Sequence, residues 1–167
     1  MTPSTYIRGF FFITLLSIVG LFYITAEKNK FYNNPLPQDT IYKIDQKHLE
    51  LNRIAFEKYG VKVNIPVYVS DTLSNNLFGF AAIDKKGNIL ITLNKNRFKE
   101  NEEYMIDTVL PHEYAHALMF LFEDYSQENG GHTKRWEEIC TAMSGKRCER
   151  FVQDNDILVE KIGFGEN

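Results

Sequence analysis

His112-Glu113-Tyr114-Ala115-His116 is an HExxH arrangement. On a helix, positions four apart stack one turn above another on the same face, so both imidazoles can reach a single ion. Zinc takes imidazole nitrogen readily, favours four-coordination and keeps one position for water in catalytic sites. Glu113, one residue beyond the first histidine, leans to the side where that water sits. Its carboxylate can take the water's proton during attack on a carbonyl and hand it to a leaving amine. That role requires a glutamate and not just any polar residue. The motif lies in an apolar stretch with Ala115, Ala117, Leu118 and Phe120 to Phe122, as a core helix requires. The competing explanation is a chance match on a solvated helix.

A catalytic zinc site needs a third protein ligand. His132 lies sixteen residues beyond His116, directly after Gly130-Gly131. Glycines let the chain double back toward the first pair. Taken alone, His132 would be a surface turn residue; with HExxH upstream it becomes the leading candidate. Glu137 and Glu138 are rival ligands. The longer HExxHxxGxxH pattern is excluded, because Met119 and Phe122 fill its glycine and histidine places. Tyr114, Tyr125 and Arg135 are the nearby candidates for stabilising an oxyanion, each with a packing or surface role as the simpler reading.

These residues need elements to position them. Asp39 is a good N-cap, and Ile41, Ile44, His48, Leu51 and Ala55 recur at helical spacing until Gly60 supplies a stop. His48, on that stripe, reads as a packed core histidine. Val63, Ile65, Val67 and Val69 alternate as a strand, with Pro66 hinting at an edge. Leu77 to Ile83 and Ile89 to Leu93 form a hairpin over the Asp84-Lys85-Lys86-Gly87 turn. Helical periodicity returns over residues 101–122, interrupted at Pro111, which should kink the helix or begin a new one. A further helix starts near Thr133 and carries Trp136, Ile139 and Met143.

In this order and spacing, GFAAIDKKGNILITLN, HEYAHALMF and GGHTKRW resemble the SprT-like domain of zinc metallopeptidases, a Spartan-related family. The resemblance covers about residues 39–148. It implies an α+β, minimal zincin-like fold with helices packed on a small antiparallel-containing sheet. It also implies His112, His116 and His132 as ligands of one Zn2+ per chain, with Glu113 as base. Protein or peptide substrates follow, and Trp136 takes a structural place behind His132. Two departures stand out. The zinc ribbon or nucleic-acid-binding elements of many members have no counterpart here, and an apolar N-terminus precedes the domain.

That N-terminus, residues 9–26, carries no charge and follows Arg8. As a helix it would reach roughly 27 Å, near the thickness of a bilayer core. It reads as a transmembrane signal-anchor or as a signal peptide, with a buried soluble helix as the third reading. Ala26 suits a cleavage site, whereas Ile24 two places earlier does not. Lys28 and Lys30 balance Arg8, so the charge rule leaves orientation open. The usual signal-anchor arrangement places the domain outside the cytoplasm, secreted if the segment is cut. Residues 27–38, polar and holding Pro35 and Pro37, read as a linker, and residues 149–167 as a tail without an assigned role.

At 167 residues the chain has room for one domain and an anchor. A formal charge of -3 disfavours broad nucleic-acid binding. Cys140 and Cys148 either close a small disulfide loop or stay as packed thiols. The expected function is a zinc-dependent metallopeptidase. Alternatives are a non-catalytic zinc-binding interaction domain, or a cytoplasmic-facing protease acting near nucleic acid. Oligomeric state is open.

Overall fold

The computed structural model describes residues 3–126, 128–146 and 148. The chain divides into two compact units, residues 1–36 and 37–167.

The first unit is a single helix, α1 (Pro3–Asn33), long and apolar enough to cross a membrane. Two hydroxyls in its apolar stretch are satisfied within the helix. The hydroxyls of Thr14 and Ser17 donate to the carbonyls of Phe10 and Ile13, each at 2.9 Å. This is how a hydroxyl is accommodated where no water is at hand. The helix continues through the polar residues 27–33, so the irregular stretch expected over residues 27–38 narrows to residues 34–37.

The second unit is α+β. It opens with α2 (Gln38–Tyr59), whose Thr40, Ile44, Leu51, Ile54 and Ala55 are buried. These fall on one face by helical periodicity. Gly60, at φ 67°, ends the helix in the left-handed conformation and donates its N–H to Phe56. Three strands follow: β1 (Val67–Ser70), β2 (Gly79–Ile83) and β3 (Ile89–Asn94), in the order β1-β3-β2. β1 runs parallel to β3, while β2 and β3 form the antiparallel hairpin. The strand expected from Val63 begins only at Val67. Pro66 has no N–H to give a ladder, and its carbonyl instead accepts from Ile91. β1 is an edge strand, as that proline suggests. The hairpin turn is held by Asp84, whose carboxylate accepts from the backbone N–H groups of Lys86 and Asn88.

After β3, a short α3 (Lys95–Phe98) leads to the stretch where the sequence shows helix interrupted by proline. Asn101 caps a turn of α-helix, α4 (Glu102–Tyr104). A π-helical turn follows at Met105–Val109, and then comes α5 (Leu110–Leu121), with no break between them. Pro111 is the second residue of α5, which begins as the π turn ends, so the proline stands at the start of an α-helical segment, one of the two places its position in the sequence allowed. In an α-helix its ring would clash with the carbonyl four residues back, that of Asp107. The wider π turn just before it, closed by the Leu110 N–H on the Met105 carbonyl, removes that conflict. A 3-10 turn (Glu128–Gly131) and α6 (Lys134–Ala142) complete the described fold. The core lies where α5 crosses β3, α2 and α6. Leu51, Ile91, Leu93, Tyr114, Leu118, Trp136 and Met143 are among its large, fully buried members.

Candidate metal centre

α5 sets His112 and His116 one turn apart, as their spacing predicts, with ring centroids 5.1 Å from each other. The third histidine arrives from the far side of a reversal. Gly131 adopts φ 85°, a left-handed conformation that glycine reaches without strain, and the His116 ring lies beside it at ordinary contact distance. Thr133 then caps α6, its hydroxyl accepting the Trp136 N–H at 3.2 Å. His132, between these two features, is held facing α5.

The Nε2 atom of His132 lies 3.1 Å from Nε2 of His112 and 3.3 Å from Nε2 of His116. Trp136 forms the wall behind all three rings, with centroids 4.6, 5.1 and 4.4 Å from His112, His116 and His132. It is 1% exposed. Burial, with the two neighbouring imidazoles, pulls His112 down to about 3. Burial and His132 pull His116 down to about 4. Both rings are thus neutral at ordinary pH, with lone pairs available. Three ring nitrogens this close are satisfied either by sharing a proton, as their tautomers allow, or by a cation between them.

The donor set fits zinc. Imidazole nitrogens about 2.0–2.1 Å from a tetrahedral ion stand about 3.3 Å apart, the spacing found here. Among the described residues these three histidines are the group able to hold a metal ion. The rival carboxylates Glu137 and Glu138 are exposed on α6 and lie outside this cluster.

Glu113 is 8% exposed and turned toward β2. Burial pushes its carboxyl up to about 8, against the opposing pull of the Ala81 backbone N–H. That N–H is free to reach it because of the sheet register. Phe78 and Asp84 bond inward to β3, through Asn94 and Asn88, so Gly79, Ala81 and Ile83 turn their backbone groups outward. A Cβ on Gly79 would meet the Thr92 carbonyl at 2.9 Å and Glu113 Cγ at 3.3 Å, so β2 passes tight against the glutamate. Sequence reasoning missed this strand contact, since only tertiary packing brings Ala81 beside Glu113.

The three oxyanion candidates point elsewhere. The Tyr114 hydroxyl donates to Asn52 on α2 at 2.6 Å and is fully buried there. Arg135 pairs with Asp124 at 3.2 Å and lies over Phe122. Tyr125 is exposed, its ring against Phe120.

The profile of the SprT-like family matches residues 44–155. The chain belongs to the SprT-like family. No curated protein and no solved structure gave a significant match. The family is of a metallopeptidase type, which agrees with a histidine triad able to bind metal. Another buried residue of the matched region is Asn94, at the end of β3. Its Nδ2 donates to the carbonyls of Ser74 and Leu77, and its Oδ1 accepts from Asn96. It pins the loop that delivers β2 to the site. Its place at the end of an apolar strand was the one signal available.

The cysteines of α6 and the loop beyond it are joined. Cys140 and Cys148 form a disulfide with Cα atoms 5.8 Å apart. Gly145 lies inside that loop, where a Cβ would meet Cys140 Sγ at 2.9 Å.

Proposed function

We propose that this SprT-like protein is a zinc-dependent metallopeptidase with His112, His116 and His132 as ligands and Glu113 as general base. The observation that carries this reading is the Nε2 spacing of 3.1 and 3.3 Å across elements sixteen and twenty residues apart in sequence. Zinc bound there would supply a Lewis acid that acidifies water and, by its charge, favours the ionised form of a nearby carboxyl. Glu113, fixed by the Ala81 N–H, takes the proton from the attacking water and later gives it to the leaving amine. Trp136 keeps bulk water away from the back of the triad. The substrate is a protein or peptide in extended conformation. The outward backbone groups of Gly79 and Ile83 beside the glutamate suit strand pairing with such a chain.

The apolar α1 serves as a membrane anchor, and the domain works outside the cytoplasm. The Cys140–Cys148 disulfide favours an oxidising compartment. The test is direct. Purified protein should carry one zinc per chain and cleave an unfolded protein substrate in a chelator-sensitive way. Glu113→Gln should keep the zinc and lower the rate about 10²–10⁴-fold. Zinc without any hydrolysis would mean a binding domain, and absence of stoichiometric zinc would end the assignment.

A further inference from the structure

The face of α2 opposite the core carries large apolar side chains that stand exposed among the described residues. Tyr42, Leu49 and Phe56 are 61%, 60% and 58% exposed. They recur every seven residues, so they form one stripe along the helix with a drift of only about 20° per repeat. Solvent-exposed helix positions are ordinarily filled by polar residues, and here one large apolar side chain per seven residues stays in line along the exposed face, flanked by the polar Asp45, Gln46, Asn52 and Arg53.

The charges beside the stripe choose the partner. Leu49 is its midpoint. Asp45 stands four residues before it and Arg53 four residues after, both exposed. Turned end for end about Leu49, the helix presents Arg53 where Asp45 was, and Phe56 where Tyr42 was. The stripe is therefore complementary to itself in the antiparallel sense, as a two-fold interface requires. A parallel pairing would instead set Asp45 against Asp45 and Arg53 against Arg53. An anionic lipid surface fits less well, because Asp39, Asp45, Glu50 and Glu57 outnumber Lys43 and Arg53 along the flanks of this face.

We infer that α2 is a self-association surface: two copies of the chain pair through antiparallel α2 helices, with Leu49 on the two-fold axis. Tyr42 of each copy packs on Phe56 of the other, and Asp45 pairs with Arg53 at both ends. In a dimer Arg53 exchanges its ion pair with Glu57 of its own helix, 2.9 Å, for one across the interface.

Single-cysteine variants of the full chain in detergent solution test this with a short bismaleimide, since both native cysteines are held in the disulfide. Leu49→Cys should cross-link to itself in high yield. Tyr42→Cys and Phe56→Cys should each give little alone and a strong product when mixed. Asp45→Arg should cut the Leu49→Cys yield several-fold, and adding Arg53→Asp should restore it. Because these positions are exposed, folding is readily confirmed by circular dichroism. Self-cross-linking of Tyr42→Cys would mean parallel association and overturn the proposal. So would a monomer with no Leu49→Cys product, or quenching of a fluorophore on Leu49→Cys by quencher-bearing lipid in vesicles, which would make the bilayer the occupant.

Discussion

A buried histidine shifts the acid limit of a protein in a direction that can be worked out. His48 lies against the core with its pKa lowered, chiefly by burial, against the support of the Ile65 carbonyl and Asp45. His112 and His116 are lowered further, to about 3 and about 4. In the unfolded chain each would titrate near 6.5. Below that value the unfolded state binds protons that the folded state refuses, so stability is intact above about pH 6.5 and declines as the pH falls beneath it. Metal-free protein should therefore show a urea midpoint that rises slightly from pH 8 to 7, where Glu113 takes up a proton only in the folded state, and drops between pH 6.5 and 5, where the histidines outnumber it. His48→Gln should remove part of that slope while the two site histidines keep the rest. An unchanged midpoint at pH 5 would contradict the buried, neutral state of these rings.

At the scale of elements, the π turn and Pro111 form one device. A π turn is a one-residue insertion into a helix, so deleting a residue from it restores a plain α-helix without changing the phase on either side. With Pro111 present, that plain helix would drive the ring against a carbonyl, at a cost of about 3 kcal/mol. Deletion of Asp107 should thus be far more harmful with Pro111 than with Pro111→Ala. The loss of the Asp107 contacts to Lys146 and Lys47 is common to both backgrounds and cancels in the cycle. Denaturant unfolding of the four proteins should give a coupling of about 2–3 kcal/mol. Additive effects would show that the turn has another cause. The same element shows what sequence could and could not tell. HExxH places two histidines by local geometry alone, and Gly130-Gly131 signals the reversal that returns His132. Proline announces an interruption, but the π turn that absorbs it has no sequence period of its own. The parallel pairing of β1 with β3 and the Ala81 contact to Glu113 depend on partners far apart in the chain. They leave no local trace.

In the second unit the disulfide fastens α6 to the loop that follows it, on the His132 side of the site. Cys140 sits one turn beyond Trp136 on α6, and the loop it closes carries Lys146. Lys146 reaches back to Glu103 at 3.1 Å and Asp107 at 2.7 Å, on the segment that leads into the HExxH helix. These two ion pairs are exposed and contribute little by themselves. The covalent loop limits how far the unfolded chain can spread, and a loop of this size is worth roughly 2–3 kcal/mol. Cys140→Ser with Cys148→Ser, or reduction by a dithiol, should therefore lower stability by about that amount. The two histidines of α5 would remain in place, since their spacing is fixed within one helix. The His132 side, carried on the loosened α6, would hold zinc less tightly. Unfolding curves and zinc competition on oxidised and reduced full-length protein measure both effects together. Equal stability and equal zinc affinity in the two states would show that the disulfide does not brace this centre.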